Sequence, residues 1–359
     1  MSLEIAQHKL DEYREALDAH IAGYVGKQRR RQRADYGDIT AQLVEPFFGL
    51  LENGGKRIRG ALTMHAYYMF GGEDAQLAVQ AGRIIEMLHT YLLIIDDIAD
   101  RSTIRRGQAS AHVQLAALHN TLGLKGDSAQ FGESQATNAA LAGLHLALGD
   151  AGRLPLNDSL KLEALNTIQG AITSTIRGQM LDIYYQASRQ ATDTDVREVL
   201  TLKTAYYSFL QPLEFGGLLA GGDVAQQWLT DFSIHLGLGF QITDDILGTF
   251  GNSFESGKSA QDDLRDGKVT LLVSRTLQRA TPSQKKLFLG ILGNPLLTDQ
   301  QYETAKQLIE ETGALAYAQE VANNEIAEAV TALDAAPEEF RSDVLFLRGL
   351  AQYVRQRSK

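Results

Sequence analysis

Residues 84–107 read IIEMLHTYLLIIDDIADRSTIRRG. Ile84, Ile85, Leu88, Leu92 and Ile95 recur at spacings of three and four, which predicts a helix with one buried stripe. That helix runs directly into Asp96-Asp97-x-x-Asp100. On a helix Asp96 and Asp100 stand one turn apart on the same face, with Asp97 beside them. Like charges so placed repel, and within the turn only Arg101 compensates. The arrangement destabilises a buried helix unless a cation sits there. Mg²⁺ suits the position, because it binds through one or two carboxylates together with substrate phosphates. Taken alone, the three aspartates fit a solvated acidic helix end equally well. Arg105-Arg106, five residues beyond Asp100, add forked donors of the kind a polyphosphate needs beside a carboxylate-bound metal.

Outward from this stretch the same periodicity dominates. Val199, Leu202, Tyr206, Phe209 and Leu210 form a second stripe, alternating runs are scarce, and the chain reads as all-α. It has only six prolines, none of them between Pro46 and Pro155. Loops are expected around Gly123–Glu133, Leu148–Asp158, Gly248–Asp263 and Pro282–Pro295. None has the length or bias of a linker, so one domain over residues 1–359 is the economical reading. The 44% apolar and 22% charged residues of this 359-residue chain are ordinary for a globular protein. With no Cys, disulfides, thiol nucleophiles and Cys-bound metals are excluded. A net charge of −10 argues against a nucleic-acid partner. The charged first residues carry no secretory signal and no run approaches a transmembrane segment, so a cytoplasmic setting is expected. The basic run Lys27–Arg33 reads as a solvated helix end or loop rather than an anion site.

A second cluster follows at Phe240-Gln241-Ile242-Thr243-Asp244-Asp245-Ile246-Leu247-Gly248, again delivered by an apolar helix. Two such helices facing one another would line a cavity with carboxylates on both sides. Lys258 and Lys268 follow in loop-like surroundings, where they could supply point charges to a phosphate. Gly251–Ser259 imitates a phosphate-binding P-loop, but its glycines are one residue too far apart and no strand precedes it.

Together these segments resemble the trans-prenyltransferases, or polyprenyl diphosphate synthases, over most of the chain. Gly54-Gly55-Lys56-Arg57-Ile58-Arg59 is similar to the family's GGKRxR segment. Glu86 through Asp100, with His89, is similar to its first aspartate-rich motif, and Arg105-Arg106-Gly107 to the basic pair after it. Gly178-Gln179-Met180-Leu181-Asp182 is similar to its GQxxD segment and Lys203-Thr204-Ala205-Tyr206-Tyr207-Ser208 to its KTAxYS segment. Phe240-Gln241-x-x-Asp244-Asp245, with Lys258 and Lys268, is similar to its second aspartate-rich region.

The resemblance implies an all-helical isoprenoid-synthase bundle around a deep central cavity, usually a homodimer. It implies that Asp96, Asp100 and Asp244 hold Mg²⁺, three ions per site, with Asp97 and Asp245 in support. Arg105, Lys203, Lys258 and Lys268 would contact the allylic diphosphate. Lys56, Arg59, His89 and Arg106 would bind isopentenyl diphosphate, and Thr204, Gln241 and Asp182 would line the junction. The implied reaction is ionisation of the allylic diphosphate, attack by the isopentenyl double bond, and proton loss to the released diphosphate. No protein nucleophile is needed.

Three departures from the family pattern stand out. Gly248 replaces a third aspartate, Gly60 stands where proline is usual, and Phe131–Leu148 matches poorly. Product length is expected to depend on Tyr91, a little over one turn below Asp96, and on Leu92. In the family, small residues at the first position accompany long products and aromatics at both accompany C15. A single aromatic therefore points to C20 geranylgeranyl diphosphate, with farnesyl diphosphate or a longer product as alternatives. A terpene cyclase would leave the isopentenyl residues unexplained. A non-catalytic partner subunit would be free to lose its aspartates, yet all five are present.

Overall fold

The computed structural model describes residues 2–251 and 261–356, and these are almost entirely helical. They divide into two compact units. One comprises His8–Gln169 and Pro212–Val224. The other comprises the described residues of Met1–Gln7, Gly170–Gln211 and Ala225–Lys359.

In the first unit, α1 (Ser2–Glu52) is broken at Gly37, whose φ of 84° no helix accommodates. The run Lys27–Arg33 lies on this helix and is largely matched by carboxylates. Arg29 binds Glu45 and Glu52, Arg31 binds Asp35, and Arg33 binds Asp38. α2 (Ile58–Met69) packs on α3 (Ala75–Ala99), which is the helix expected from the opening stretch. Asp74 caps α3 by accepting from the backbone N–H groups of Gln76 and Leu77. Among the described residues α3 is the only helix long and apolar enough to cross a membrane, but 72% of its most apolar window is buried inside the protein. It is a core helix.

α4 (Ala111–Thr121) and α5 (Ser128–Ala151) complete this layer, and α5 packs on both α3 and α4. The poorly matching Phe131–Leu148 segment therefore forms a regular helix. Its buried stripe is Gly132, Ala136, Ala139, Ala140, Gly143 and Ala147. Such small residues allow close approach, and a side chain at Gly143 would strike the Phe47 ring.

Two features differ from expectation. Ile104–Arg105 and Gln108–Ala109 pair as a minimal hairpin, β1 and β2. Its two turn residues, Arg106 and Gly107, both have positive φ, as a tight turn of this kind requires. Pro282–Ile291 is a helix, not a loop. Pro282 occupies the first turn, where its missing N–H matters least, and Thr281 and Gln284 close a capping box around it.

The second unit begins within α6 (Asp158–Ser188) and continues through α7 (Asp193–Leu200) into a π-helical stretch, Thr201–Leu210. α8 (Gln211–Leu219) follows in the chain but from Pro212 onward belongs to the first unit. α9 (Gln227–Phe250) carries the second aspartate pair and ends just before the undescribed segment. Beyond that segment lie α10 (Asp262–Asp266), α11 (Leu271–Arg279), α12 (Pro282–Ile291), α13 (Asp299–Glu311), α14 (Ala314–Ala332) and α15 (Val344–Gln356). α14 packs along α9, and Leu238, Ile242, Ile246, Phe288, Ile309 and Ala318 share one core. Each large aliphatic side chain buried there contributes roughly 1.5–3 kcal/mol.

Candidate active site

The first unit gathers two of the predicted sets. Asp96, Asp97 and Asp100 occupy the last turn and C-cap of α3. They do not play equal parts. Asp97 is buried and its Oδ1 accepts from both Nε and Nη2 of Arg105, the Nε bond being 2.8 Å. Asp96 Oδ2 lies 3.6 Å from the same guanidinium. Arg105 is thus held by the aspartate cluster it follows, and its carboxylate partners keep it firmly protonated.

The predicted isopentenyl set lies around the start of α2. Arg59 Nη1 is 3.4 Å from His89 Nε2. Arg106 donates from Nη1 to the carbonyls of Leu50 and Asn53, at 3.2 and 3.1 Å. A Cβ at Gly55 would sit 2.9 Å from Arg106 Nη2, so the guanidinium lies flat against the glycine turn. Lys56 is exposed beside it. Burial drives the His89 pKa well down, and Arg59, Arg106, Arg105 and Arg57 push it the same way. Both effects favour the neutral imidazole over its charged form.

Two residues quoted in these motifs were given no role by the sequence reading. Arg57 has a fully buried side chain at a left-handed backbone position, and Glu86 is buried beneath it. Arg57 binds Glu86 Oε2 at 3.2 Å, Asp18 Oδ1 at 2.8 Å and the Leu51 carbonyl at 2.8 Å. The legible signal was a lone carboxylate on the apolar face of α3, since a buried charge demands a partner.

The second unit holds the other sets. Lys203 Nζ donates to Asp182 Oδ2 at 2.6 Å. Thr204 Oγ1 donates to Gln241 Oε1 at 3.1 Å, and Gln241 Nε2 donates to Asp245 Oδ1 at 2.9 Å. The π-helical turns put Lys203 and Thr204 at the head of this chain of contacts, a common use of such irregular helix. Lys268 Nζ is 3.9 Å from Asp245 and 4.0 Å from Asp263. Asp244 is partly exposed, whereas Asp245 is buried and its Oδ2 has no hydrogen-bond partner among the described residues. Burial pushes the Asp245 pKa up and Lys268 pulls against it. Lys258 lies outside the described residues.

Gly248 has a local explanation. A Cβ at this position would stand 2.9 Å from Asp263 Oδ2, so the Asp263 carboxylate already fills the space where a side chain would begin.

The oxygen donors suit a hard divalent cation, and the orphaned Asp245 Oδ2 is an oxygen of that kind. Among the described residues, no three acidic or histidine side chains form a complete cage of their own. Mg²⁺ is bound by one or two carboxylates, with phosphate oxygens and water completing its octahedron.

Residues 40–311 match the polyprenyl synthetase family model. The chain is 31% identical to a geranylgeranyl diphosphate synthase of Saccharolobus solfataricus, over 88% of this chain and 91% of that one. It is 28% identical to a geranylfarnesyl diphosphate synthase of Aeropyrum pernix, over 90% and 98% of the two chains. A crystal structure of geranylgeranyl pyrophosphate synthase from Corynebacterium glutamicum, complexed with isoprenyl diphosphate and magnesium, superposes with a TM-score of 0.88 at 28% identity. It covers 97% of this chain and 99% of its own. The chain belongs to the polyprenyl synthetase family. It is a prenyltransferase that extends allylic prenyl diphosphates with isopentenyl diphosphate.

Proposed function

We propose that this enzyme makes geranylgeranyl diphosphate by Mg²⁺-dependent head-to-tail condensation, with Asp96, Asp100 and Asp244 as metal ligands for three ions. The observation that carries the division of labour is the segregation of charge. Arginines and a histidine gather around the start of α2, while lysines stand beside carboxylates on the π-helical stretch, α9 and Gly267-Lys268.

In this reading Lys56, Arg59, His89 and Arg106 bind and orient isopentenyl diphosphate, with forked donors matched to its oxygens. Lys203 and Lys268 exchange their carboxylate contacts for the allylic diphosphate, joined by Lys258. Arg105, anchored by Asp97, presents a fixed guanidinium to the same group. Bound Mg²⁺ supplies the charge neutralisation that makes diphosphate a competent leaving group. Thr204, Gln241 and Asp182 fix the side chains around the reacting carbons. The apolar face of α3 excludes water from the allylic cation.

Tyr91 supports the C20 assignment. Its side chain is buried on α3 five residues before Asp96, while Leu92 beside it is smaller. The diphosphate synthases compared above differ in their named products, so kinship alone does not set the length. An incubation with labelled isopentenyl diphosphate and dimethylallyl, geranyl or farnesyl diphosphate in turn, with product length read out, tests this reading. A C20 end product that disappears with EDTA is expected. An end product longer than C20 removes the Tyr91 argument.

The enzyme is proposed to act as a homodimer. Ile176, Met180, Ile183 and Tyr184 form an exposed apolar stripe on α6, with Met180 66% exposed, and a second copy of the chain would cover it. Light scattering of wild type and Met180→Glu tests this, with a dimer expected for the first and a weakened one for the second.

A further inference from the structure

Glu86 does something at the start of α2 that no residue of α2 itself does. The helix opens on Arg57, whose side chain makes no capping bond. Its first N–H groups need acceptors. Glu86 Oε1, reaching from α3, accepts from the Gly60 N–H at 3.0 Å, which is the third residue of α2. Its other oxygen binds Arg57. One buried carboxylate thus caps the helix from outside and fixes the preceding turn, and its negative charge suits the positive helix end.

The residues tied in this way flank the proposed isopentenyl set. Lys56 adjoins Arg57, Arg59 adjoins Gly60, and His89 lies one turn beyond Glu86 on α3. The fit at Gly60 is close. A Cβ there would lie 2.9 Å from Leu17 Cδ1, 3.0 Å from Glu86 Cγ and 3.1 Å from the Gly82 carbonyl. Proline would also remove the donor that Glu86 uses.

We propose that Glu86 is a positioning residue for isopentenyl diphosphate, holding Lys56 and Arg59 in register through Arg57 and the Gly60 N–H. The proposal rests on the assignment of the isopentenyl set given above. Glu86 touches no substrate. It sets where the cations stand, so its loss weakens one substrate and spares the other.

The test is steady-state kinetics on Glu86→Ala, Glu86→Gln, Gly60→Ala and Gly60→Pro, with melting curves for each. Glu86→Ala is expected to raise the KM for isopentenyl diphosphate roughly ten- to a hundredfold, the effect of losing charge-assisted hydrogen bonds. Glu86→Gln still accepts from Gly60 but loses the ion pair, and should raise it roughly three- to tenfold. The allylic KM should stay within about twofold in both. Gly60→Pro should exceed Gly60→Ala, because only proline removes the donor. If Glu86→Ala does not fold, Glu86→Gln carries the test. A folded Glu86→Gln with a wild-type isopentenyl KM, or one in which both KM values rise equally, overturns the proposal. Arg59→Ala and Arg106→Ala serve as the reference. If neither shifts the isopentenyl KM, the site assignment fails and the proposal with it.

Discussion

The start of α2 and the end of α9 both concentrate charge, but they hold it differently. Around α2 the guanidiniums are locked: Arg106 by two carbonyls, Arg57 by two carboxylates and a carbonyl. Near the end of α9 the cations are lysines set against carboxylates, close for Lys203 with Asp182 and looser for Lys268 with Asp245 and Asp263. A locked fork suits a substrate that must only be held. A flexible ammonium beside carboxylates suits a group whose charge grows during reaction and which then departs.

The comparison is most easily broken at the aspartates. Asp96→Asn or Asp244→Asn should lower kcat on the order of a hundred- to a thousandfold, because each removes charge from a proposed metal ligand. Asp97→Asn should act through Arg105 and lower activity about tenfold. Equal losses in all three would erase the distinction between ligand and anchor. Next in size is product length. Tyr91→Ala should move the end product beyond C20, seen by chromatography of the dephosphorylated alcohols, and an unchanged length would exclude Tyr91 as the floor.

The smallest effects concern two histidines whose surroundings oppose each other. His89, half-buried among arginines, has a lowered pKa. His235 has a raised one, because it hydrogen-bonds Glu325 at 2.7 Å, which Arg197 also binds. For His235 the folded value exceeds the unfolded one, so its stabilisation is complete below the ordinary value of 6.5 and is lost as pH rises through the folded value. For His89 the sign reverses, and stability is lost as pH falls below 6.5 toward the depressed value. In thermal melts across pH, His235→Gln should flatten the alkaline slope and His89→Gln the acid one.

Much of this was legible in the sequence. The stripe on α3 and the aspartates ending it required only spacing, and the order of the charged segments carried the family. The hairpin at Arg106-Gly107 was not, because a left-handed arginine has no sequence signature. Glu86 and Arg57 were passed over because their partners lie on other helices, and pairing across such distances leaves no local pattern. Gly248 reads as a lost aspartate until Asp263, remote in sequence, is found in its space. Pro282 reads as a breaker unless the capping box around it is noticed.

The most direct test of the division between held and departing diphosphate is a pair of variants, Arg106→Ala and Lys203→Ala, each assayed for the KM of both substrates. A crossed result is expected, with isopentenyl KM raised at least about tenfold in the first and allylic KM or kcat affected in the second. If both variants weaken the same substrate, or both substrates equally, the two regions do not divide the reaction between them.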